Sequence, residues 1–531
     1  MWAWTTIKSD GYNKAPITAD FTRVVTDGGT VLDGRNNIYS AENKSRLLDF
    51  YLNYSKNLGD HKVDVTAGYG WQYFYRQNES VNRRADKSIV NVPAPFIGEN
   101  WLVSFFGRAN YSFMDKYLLT ATLRYDGSSR FPANPWGLFP AVSAAWRIKD
   151  EAFLSGVDKL SELKLRVGYG ETGQQDIGNF YPGLAIYRTS TATAQYQLGD
   201  TFYPTLRPDA YDGGIRWETT STLNLGVDFG LFNNRLTGTV EVYNRKTFDL
   251  LNYVQVASGT GFSNFLDTNV GNLENNGIEV TLNAIPVSTG DFTWNLGVNF
   301  ARNVNKLTKL LLVDDPTYNG VPAGGIGVGQ YIQNQQVGYP INSFWVLQQV
   351  YGADGMPIEG LYVNRSDESS AVSSNNNNKY RPEHPVADYL IGINSRFNYK
   401  KFDFAFSSRL SLGNHVYNNA VAGRAFLNNV YANGFFSNVP NAVFETGFFS
   451  QQQLSDFYLQ DASFFKMDNM SVGYSMDNLL SNKLKARINF TVQNAFIITK
   501  YDGIDPEVNG GIDNTIYPRP RVFLLGLSLD F

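Results

Sequence analysis

Residues 293–301 read Thr293-Trp294-Asn295-Leu296-Gly297-Val298-Asn299-Phe300-Ala301, and this stretch decides the fold class. Trp294, Leu296, Val298 and Phe300 share one side of an extended chain; Thr293, Asn295, Gly297 and Asn299 share the other. Period two is the signature of a strand with one apolar and one polar face. The alternation recurs. Leu223, Leu225, Val227 and Phe229 oppose Thr222, Asn224, Gly226 and Asp228. Leu163, Leu165, Val167 and Tyr169 oppose Lys164, Arg166 and Gly168, and Ile488, Phe490 and Val492 oppose Arg487, Asn489, Thr491 and Gln493.

Soluble sandwiches alternate too, and three features separate the two classes. These strands run about 10–14 residues, against about 5–6 in soluble sheets. Their polar faces carry Arg, Lys, Glu and Asn in mid-strand, as a wet lumen allows. The connections also alternate in length. Short ones fall near Leu58-Gly59-Asp60, Met114-Asp115-Lys116, Phe232-Asn233-Asn234, Ser288-Thr289-Gly290 and Lys400-Lys401. Long ones lie near 77–100, 173–216, 247–269, 413–462 and 500–518. Short periplasmic turns alternating with long outer loops are the pattern of a membrane barrel. The expected fold is all-β: a transmembrane antiparallel β-barrel over 1–531, with about 15–16 strands present. A plugged transporter has about 22, so several N-terminal strands are expected to be missing. Strand parity puts the C-terminus in the periplasm only if 306–386 is one outward excursion or holds an even number of strands. An open array leaves two unpaired edges in lipid, which is costly; the isolated chain is expected not to close into a stable pore.

Composition agrees. Charged residues are 18% of the chain, below the roughly 25% of soluble domains, and aromatics are 15%. Aromatic loading suits interfacial girdles and equally an aromatic-lined binding surface. No apolar run approaches the ~18 residues of a membrane helix. The net charge of -4 has no basic stripe, which argues against nucleic acid. With no cysteine there are no disulfides and no thiolate sites. The start, Met1-Trp2-Ala3-Trp4-Thr5, lacks the charged and apolar regions of a signal peptide, so the true N-terminus is expected further upstream.

Chemistry-bearing patterns are sparse. His61 sits in a short turn, His384 in Arg381-Pro382-Glu383-His384-Pro385, and His415 after Gly413-Asn414. None has a second His at ligand spacing, so each reads as an ordinary polar residue. Gly-rich 323–329 resembles a phosphate loop only in composition. No catalytic residue, cofactor or metal site is expected, and the chain is not expected to be an enzyme. Segment 366–380, Ser/Asn-rich, reads as a flexible loop without a calcium site. Segment 180–211 is a candidate binding loop: Tyr181, Tyr187, Tyr196, Tyr203 and Tyr211, with Phe180 and Phe202, stand among polar residues that suit sugar rings or peptide side chains. They could equally fold the loop on itself or meet a partner protein.

The most specific motifs are near the end. Residues 464–474 read Phe464-Phe465-Lys466-Met467-Asp468-Asn469-Met470-Ser471-Val472-Gly473-Tyr474. Then come Gln493-Asn494-Ala495-Phe496 and Tyr501-Asp502-Gly503-Ile504-Asp505-Pro506-Glu507-Val508, and the chain closes with 517–531, Tyr517-Pro518-Arg519-Pro520 through Phe531. Upstream lie Leu123–Phe131 (Arg124-Tyr125-Asp126-Gly127-Ser128-Ser129-Arg130), Gly137–Pro140, Leu165–Gly170 with Thr172-Gly173-Gln174, and Gly271–Glu279. In this order they closely resemble SusC/RagA-type TonB-dependent transporters of Bacteroidetes-like bacteria. The final strand, with Phe523, Leu525, Leu527, Leu529 and Phe531 on one face, looks like the signal by which assembly machinery recognises outer-membrane barrels; it is also simply a lipid-facing strand.

The resemblance implies an outer-membrane location and import of oligosaccharides or oligopeptides. It implies a SusD-like surface lipoprotein as lid, and the TonB complex as energy source through an N-terminal part; the signal peptide, TonB-binding segment and plug domain that the resemblance implies are not recognisable in this sequence and are expected to be missing from it. A signalling or adhesion barrel without transport is the alternative, and an outer-membrane enzyme or a non-functional truncation are further ones. Cargo cannot be read from the barrel motifs.

Overall fold

A computed structural model describes residues 1–18, 23–26, 29–32, 34–190, 194–255, 265–311, 318–432, 434, 436–479, 484–514 and 517–530. Sixteen long strands are present among the described residues. They are β1 (Trp2–Ala15), β2 (Arg35–Leu58), β3 (His61–Arg83), β4 (Phe96–Phe113), β5 (Tyr117–Ser128), β6 (Trp136–Arg147), β7 (Leu160–Gln174) and β8 (Glu218–Leu231). Then follow β9 (Leu236–Phe248), β10 (Asn272–Ser288), β11 (Phe292–Lys309), β12 (Tyr389–Tyr399), β13 (Phe402–Leu412), β14 (Phe464–Leu479), β15 (Leu484–Thr499) and β16 (Val522–Asp530). The chain divides into two compact units: 1–144, 168–221 and 247–270 form the first; 145–167, 222–246 and 271–531 form the second.

In the second unit, β10 to β16 pair antiparallel in chain order. One cross-strand row runs Ala284, Leu296, Ser395, Phe406, Met470, Val492, Phe523. The adjacent row, one residue along each strand, runs Asn283, Gly297, Asn394, Ser407, Asn469, Gln493, Val522. Successive Cβ atoms point to opposite faces, so seven strands carry one apolar and one polar surface in register, with Val522 the apolar member of the polar row. The polar member of the apolar row, Ser395, accepts a hydrogen bond from the Trp294 indole at 3.0 Å. The reading of 293–301 therefore holds: Val298 pairs Leu282 and Ile393, while Asn299 pairs Thr281 and Gly392.

The first unit repeats the design across β2–β5. Tyr54, Val65, Ala109 and Ala121 form one row; Asn53, Thr66, Arg108 and Thr122 form its neighbour. The polar face is laced by hydrogen bonds: Asn53 donates to Thr66 (2.9 Å) and Thr120 to Asn110 (3.0 Å). The apolar face has two aromatic clusters. His61, Phe113 and Tyr117 neighbour one another near the short turns, with centroids 4.9 and 6.2 Å apart. Trp71 lies against Trp2 and Tyr73, and Tyr73 against Trp101, higher on the wall. His61 and Trp71 are ten residues apart on β3. At ~3.3 Å per residue and ~40° tilt the rise is about 25 Å, the height of a lipid-facing band. His61 is thus the first residue of a strand and part of a girdle, not a turn residue.

The short connections fall where the sequence placed them. Tight hairpins of this hand need left-handed backbone. Met114 and Asp115 have φ of 53° and 55°, and Gly59 has 64°. The sequence reading named no connection between β6 and β7, and one of its long loops is shorter than expected. Residues 148–159, between β6 and β7, form a longer link with short 3-10 turns, tied by Lys149 donating to the Leu154 and Val157 carbonyls at 3.0 Å. Residues 84–95, rather than 77–100, form the loop after β3, because β3 and β4 stay paired up to Asn78 and Phe96. The polar run Gln77-Asn78-Glu79-Ser80 hid that extension. The strands reach 24 residues, beyond the expected 10–14, because pairing continues past the height lipid requires. Finally, β11 pairs directly with β12, so 310–388 is one excursion and the parity condition is met.

Candidate functional site: the long-loop end

In the second unit, segments 310–388, 413–463 and 500–521 do not splay as separate loops. Ile332, Phe344, Val346, Tyr417, Ala422, Phe448 and Tyr458 form a buried core. Small hairpins carry it: 321–327 with 330–335, where the Gly-rich stretch lies, and 349–351 with 357–363. A buried polar knot locks the layers. Asp456 accepts from the Gln349 amide (2.9 Å) and the Tyr380 hydroxyl (2.6 Å), and Ser455 donates to the Gln349 side chain (2.8 Å). Burial pushes the Asp456 carboxyl above its ordinary value despite those bonds. Burial also lifts the Tyr362 phenol to about 12. Lys379 donates to the Tyr331 carbonyl (2.7 Å) and lies 4.7 Å from the Trp345 ring centroid. Desolvation pushes its amine down to about 8, because a buried charge without a carboxylate disfavours itself. Segment 366–380 is structured rather than a bare excursion: Asn378 is buried and accepts from the Arg365 amide at 2.8 Å.

Below this platform a cavity of about 840 Å³ is bordered by the polar face, including Thr281, Asn299, Asn303, Arg409 and Glu507. That volume lies within the range of small-molecule sites. Arg409 bridges Asp468 (2.7 Å) and Glu507 (2.8 Å), and Lys466 and Arg519 also reach Glu507. Burial works to raise the Glu507 carboxyl, but these cations outweigh it and hold it below its ordinary value. Lower on the wall, Arg166 grips Asp228 through two 2.9 Å bonds and reaches Glu241 at 3.3 Å. Asp403 takes Arg487 at 2.8 Å. The strand pattern marks these residues as polar-face members, but partners so distant in sequence are invisible to it.

In the first unit, segment 175–217 folds over a small core of Phe131, Phe139, Ile215 and Trp217. The structure separates the five candidate tyrosines. Tyr181 is fixed: its hydroxyl accepts from the Glu99 amide at 3.1 Å. Tyr196 and Tyr203 face each other across a hairpin, and Tyr187 lies on another short strand pair. Tyr187, Tyr196, Tyr203 and Tyr211 are exposed. Phe523, Leu525, Leu527 and Leu529 are exposed along β16, as an unsolvated lipid face requires; Phe531 lies outside the described residues.

Residues 2–494 match the family model described as TonB dependent receptor-like, beta-barrel. The chain belongs to that family. It is 42% identical over 501 residues to the TonB-dependent receptor SusC of Bacteroides thetaiotaomicron, covering 91% of this chain and 50% of that protein. It is 29% identical over 534 residues to the TonB-dependent receptor P3 of Formosa agariphila, covering 91% of this chain and 52% of that protein. Among solved structures, the RagAB peptide transporter aligns with TM-score 0.77 at 22% identity, over 94% of this chain and 56% of that one. The RagAB peptide importer in its closed-closed state aligns with TM-score 0.79 at 21% identity, over 100% of this chain and 59% of that one. Those likenesses show the fold. The chain spans about half the length of the curated relatives it matches. Its apolar face is accordingly a lipid face, its place is the outer membrane, and its relatives are receptors and transporters rather than enzymes.

Proposed function

We propose that this chain forms the wall and outer loop platform of an importer of oligosaccharides or oligopeptides. The 42% identity to SusC across 91% of the chain carries the proposal. The two-faced wall supports it, since lipid outside and a polar passage inside are what transport demands. A SusD-like surface lipoprotein would lid the long-loop end, and the TonB complex would act through sequence beyond the half-length match. Barrel-assembly machinery would read the face of Phe523, Leu525, Leu527, Leu529 and Phe531. Exposed Tyr187, Tyr196, Tyr203 and Tyr211 would stack on sugar rings or peptide side chains, with Tyr181 holding their segment to β4. Contacts in the passage need to be individually weak so that cargo can leave.

The test uses the full-length gene product in its own cell. Uptake of labelled oligosaccharide and oligopeptide pools is measured with the gene intact and deleted, and a tagged copy is used to recover partners. Loss of one uptake, with co-purification of a surface lipoprotein, is expected. Unchanged uptake of both pools contradicts the reading.

A further inference from the structure

The first unit holds a second cavity, of about 290 Å³, on the polar face of β1–β4 beneath segments 129–135 and 175–180. Two nearly inaccessible donors on its lining are unused. Asn100 is 1% exposed and its amide nitrogen has no hydrogen-bond partner. Arg130 is 6% exposed and its Nε has none either. Nη1 of the same guanidinium is engaged, donating to the Asn179 carbonyl at 2.9 Å and meeting Asp176 at 3.1 Å. Burial pushes that guanidinium down and Asp176 offsets it only in part. Buried donors left unpaired cost free energy, so such a pair is a place where a ligand gains.

The lining also fixes the sign of the ligand. Arg76 and Arg130 stand with the single carboxylate Asp176 on the lining; Lys44 lines it too, but it pairs with Tyr75 across the strands, one residue out of step with Asn43 and Ser45, so its side chain belongs to the opposite face. Lys44 is already held by Glu42 at 2.8 Å, whereas Arg76 makes no ion pair among the described residues. Phe74 and Phe180 supply apolar walls. Phe180 can lie there because residue 98 is glycine; a Cβ would sit 2.8 Å from its ring.

We infer that this cavity binds a carboxylate at the end of an oligomer, with Asn100 Nδ2 and Arg130 Nε as donors and Arg76 as counter-charge. Two N–H donors match the two oxygens of a carboxylate. The volume sits at the small end of ligand sites, so one terminal unit enters rather than a whole chain. A peptide C-terminus and a uronic acid both present this carboxylate; the inference takes its candidate ligands from the import reading but is tested by binding alone.

Full-length protein in detergent is titrated calorimetrically with triglycine, triglycinamide, trigalacturonate and the trigalacturonate methyl ester. Binding of triglycine but not its amide assigns a peptide terminus; binding of trigalacturonate but not its ester assigns an acidic sugar. In either case Arg76→Gln, on an exposed residue, weakens binding about tenfold or more, and Asn100→Leu does the same. Neither carboxylate binding, or binding indifferent to Arg76→Gln, overturns the inference. Loss of uptake without loss of carboxylate binding counts against the import reading alone.

Discussion

Within the second unit, the wall and the platform bury their apolar side chains in opposite ways. Along β14–β16, Val472 is 47% exposed, Phe490 43% and Leu525 79%. In the platform, Phe344, Val346, Leu347 and Tyr417 are all at 0%. The same residue types serve both. The wall leaves its hydrophobic surface for lipid and satisfies its backbone by strand pairing, which is what hydrocarbon demands. The platform meets water and so needs an interior of its own, pinned by Asp456, Gln349 and Tyr380. A loop layer with a core is a preformed surface, and preformed surfaces bind without the ordering cost of mobile loops.

The comparison can be broken most forcefully from the platform side. Phe344→Ala opens a void in its core and is expected to cost ~3–5 kcal/mol locally. Limited proteolysis should then cut within 310–388 while the wall keeps its heat-resistant mobility on gels. The wall responds to a different insult. Val298→Lys puts a charge on the lipid face near mid-height and should cost ~2–4 kcal/mol; Asn299→Lys, one residue on, should be nearly neutral in urea unfolding from micelles.

Titration sharpens the difference. Lys379 is charged at neutral pH in both states, and burial makes that charge unfavourable only when folded. As pH rises through about 8 the folded amine releases its proton, while the unfolded one keeps it until its ordinary 10.5. Stability should therefore rise between those values, by up to ~3 kcal/mol. Thermal unfolding of the platform, compared with Lys379→Met across pH 7–10, reads this directly; the difference cancels Asp456 and the tyrosines. The smallest effect belongs to the wall's polar face. Arg487→Ala should cost ~1 kcal/mol or less, shrinking with salt, because the Asp403 pair is partly solvated.

The wall was legible because it is local: 293–301 states its two faces within nine residues, and Met114-Asp115 and Phe232-Asn233-Asn234 mark its turns. Its upper reaches were not, since past Gln77 no lipid enforces alternation and only backbone pairing continues β3. The platform was least legible. Phe344, Tyr417 and Tyr458 come from segments far apart in sequence, and nothing periodic announces their meeting. Segment 180–211 drew notice for its tyrosines, but the unpaired donors lie beside it. Arg130 stands inside a motif noticed only for its resemblance, and Asn100 inside a stretch read as loop.

The central claim, that the period-two pattern separates a lipid face from a wet face, has a direct test. The chain contains no cysteine, so single cysteines at 294 to 300 in the full-length protein, cleared of any others, can each carry a nitroxide in bilayers. Collisions with oxygen should peak at positions 294, 296, 298 and 300, and collisions with a water-soluble nickel complex at 295, 297 and 299. Both reagents peaking at the same positions, or no period of two, would contradict the account.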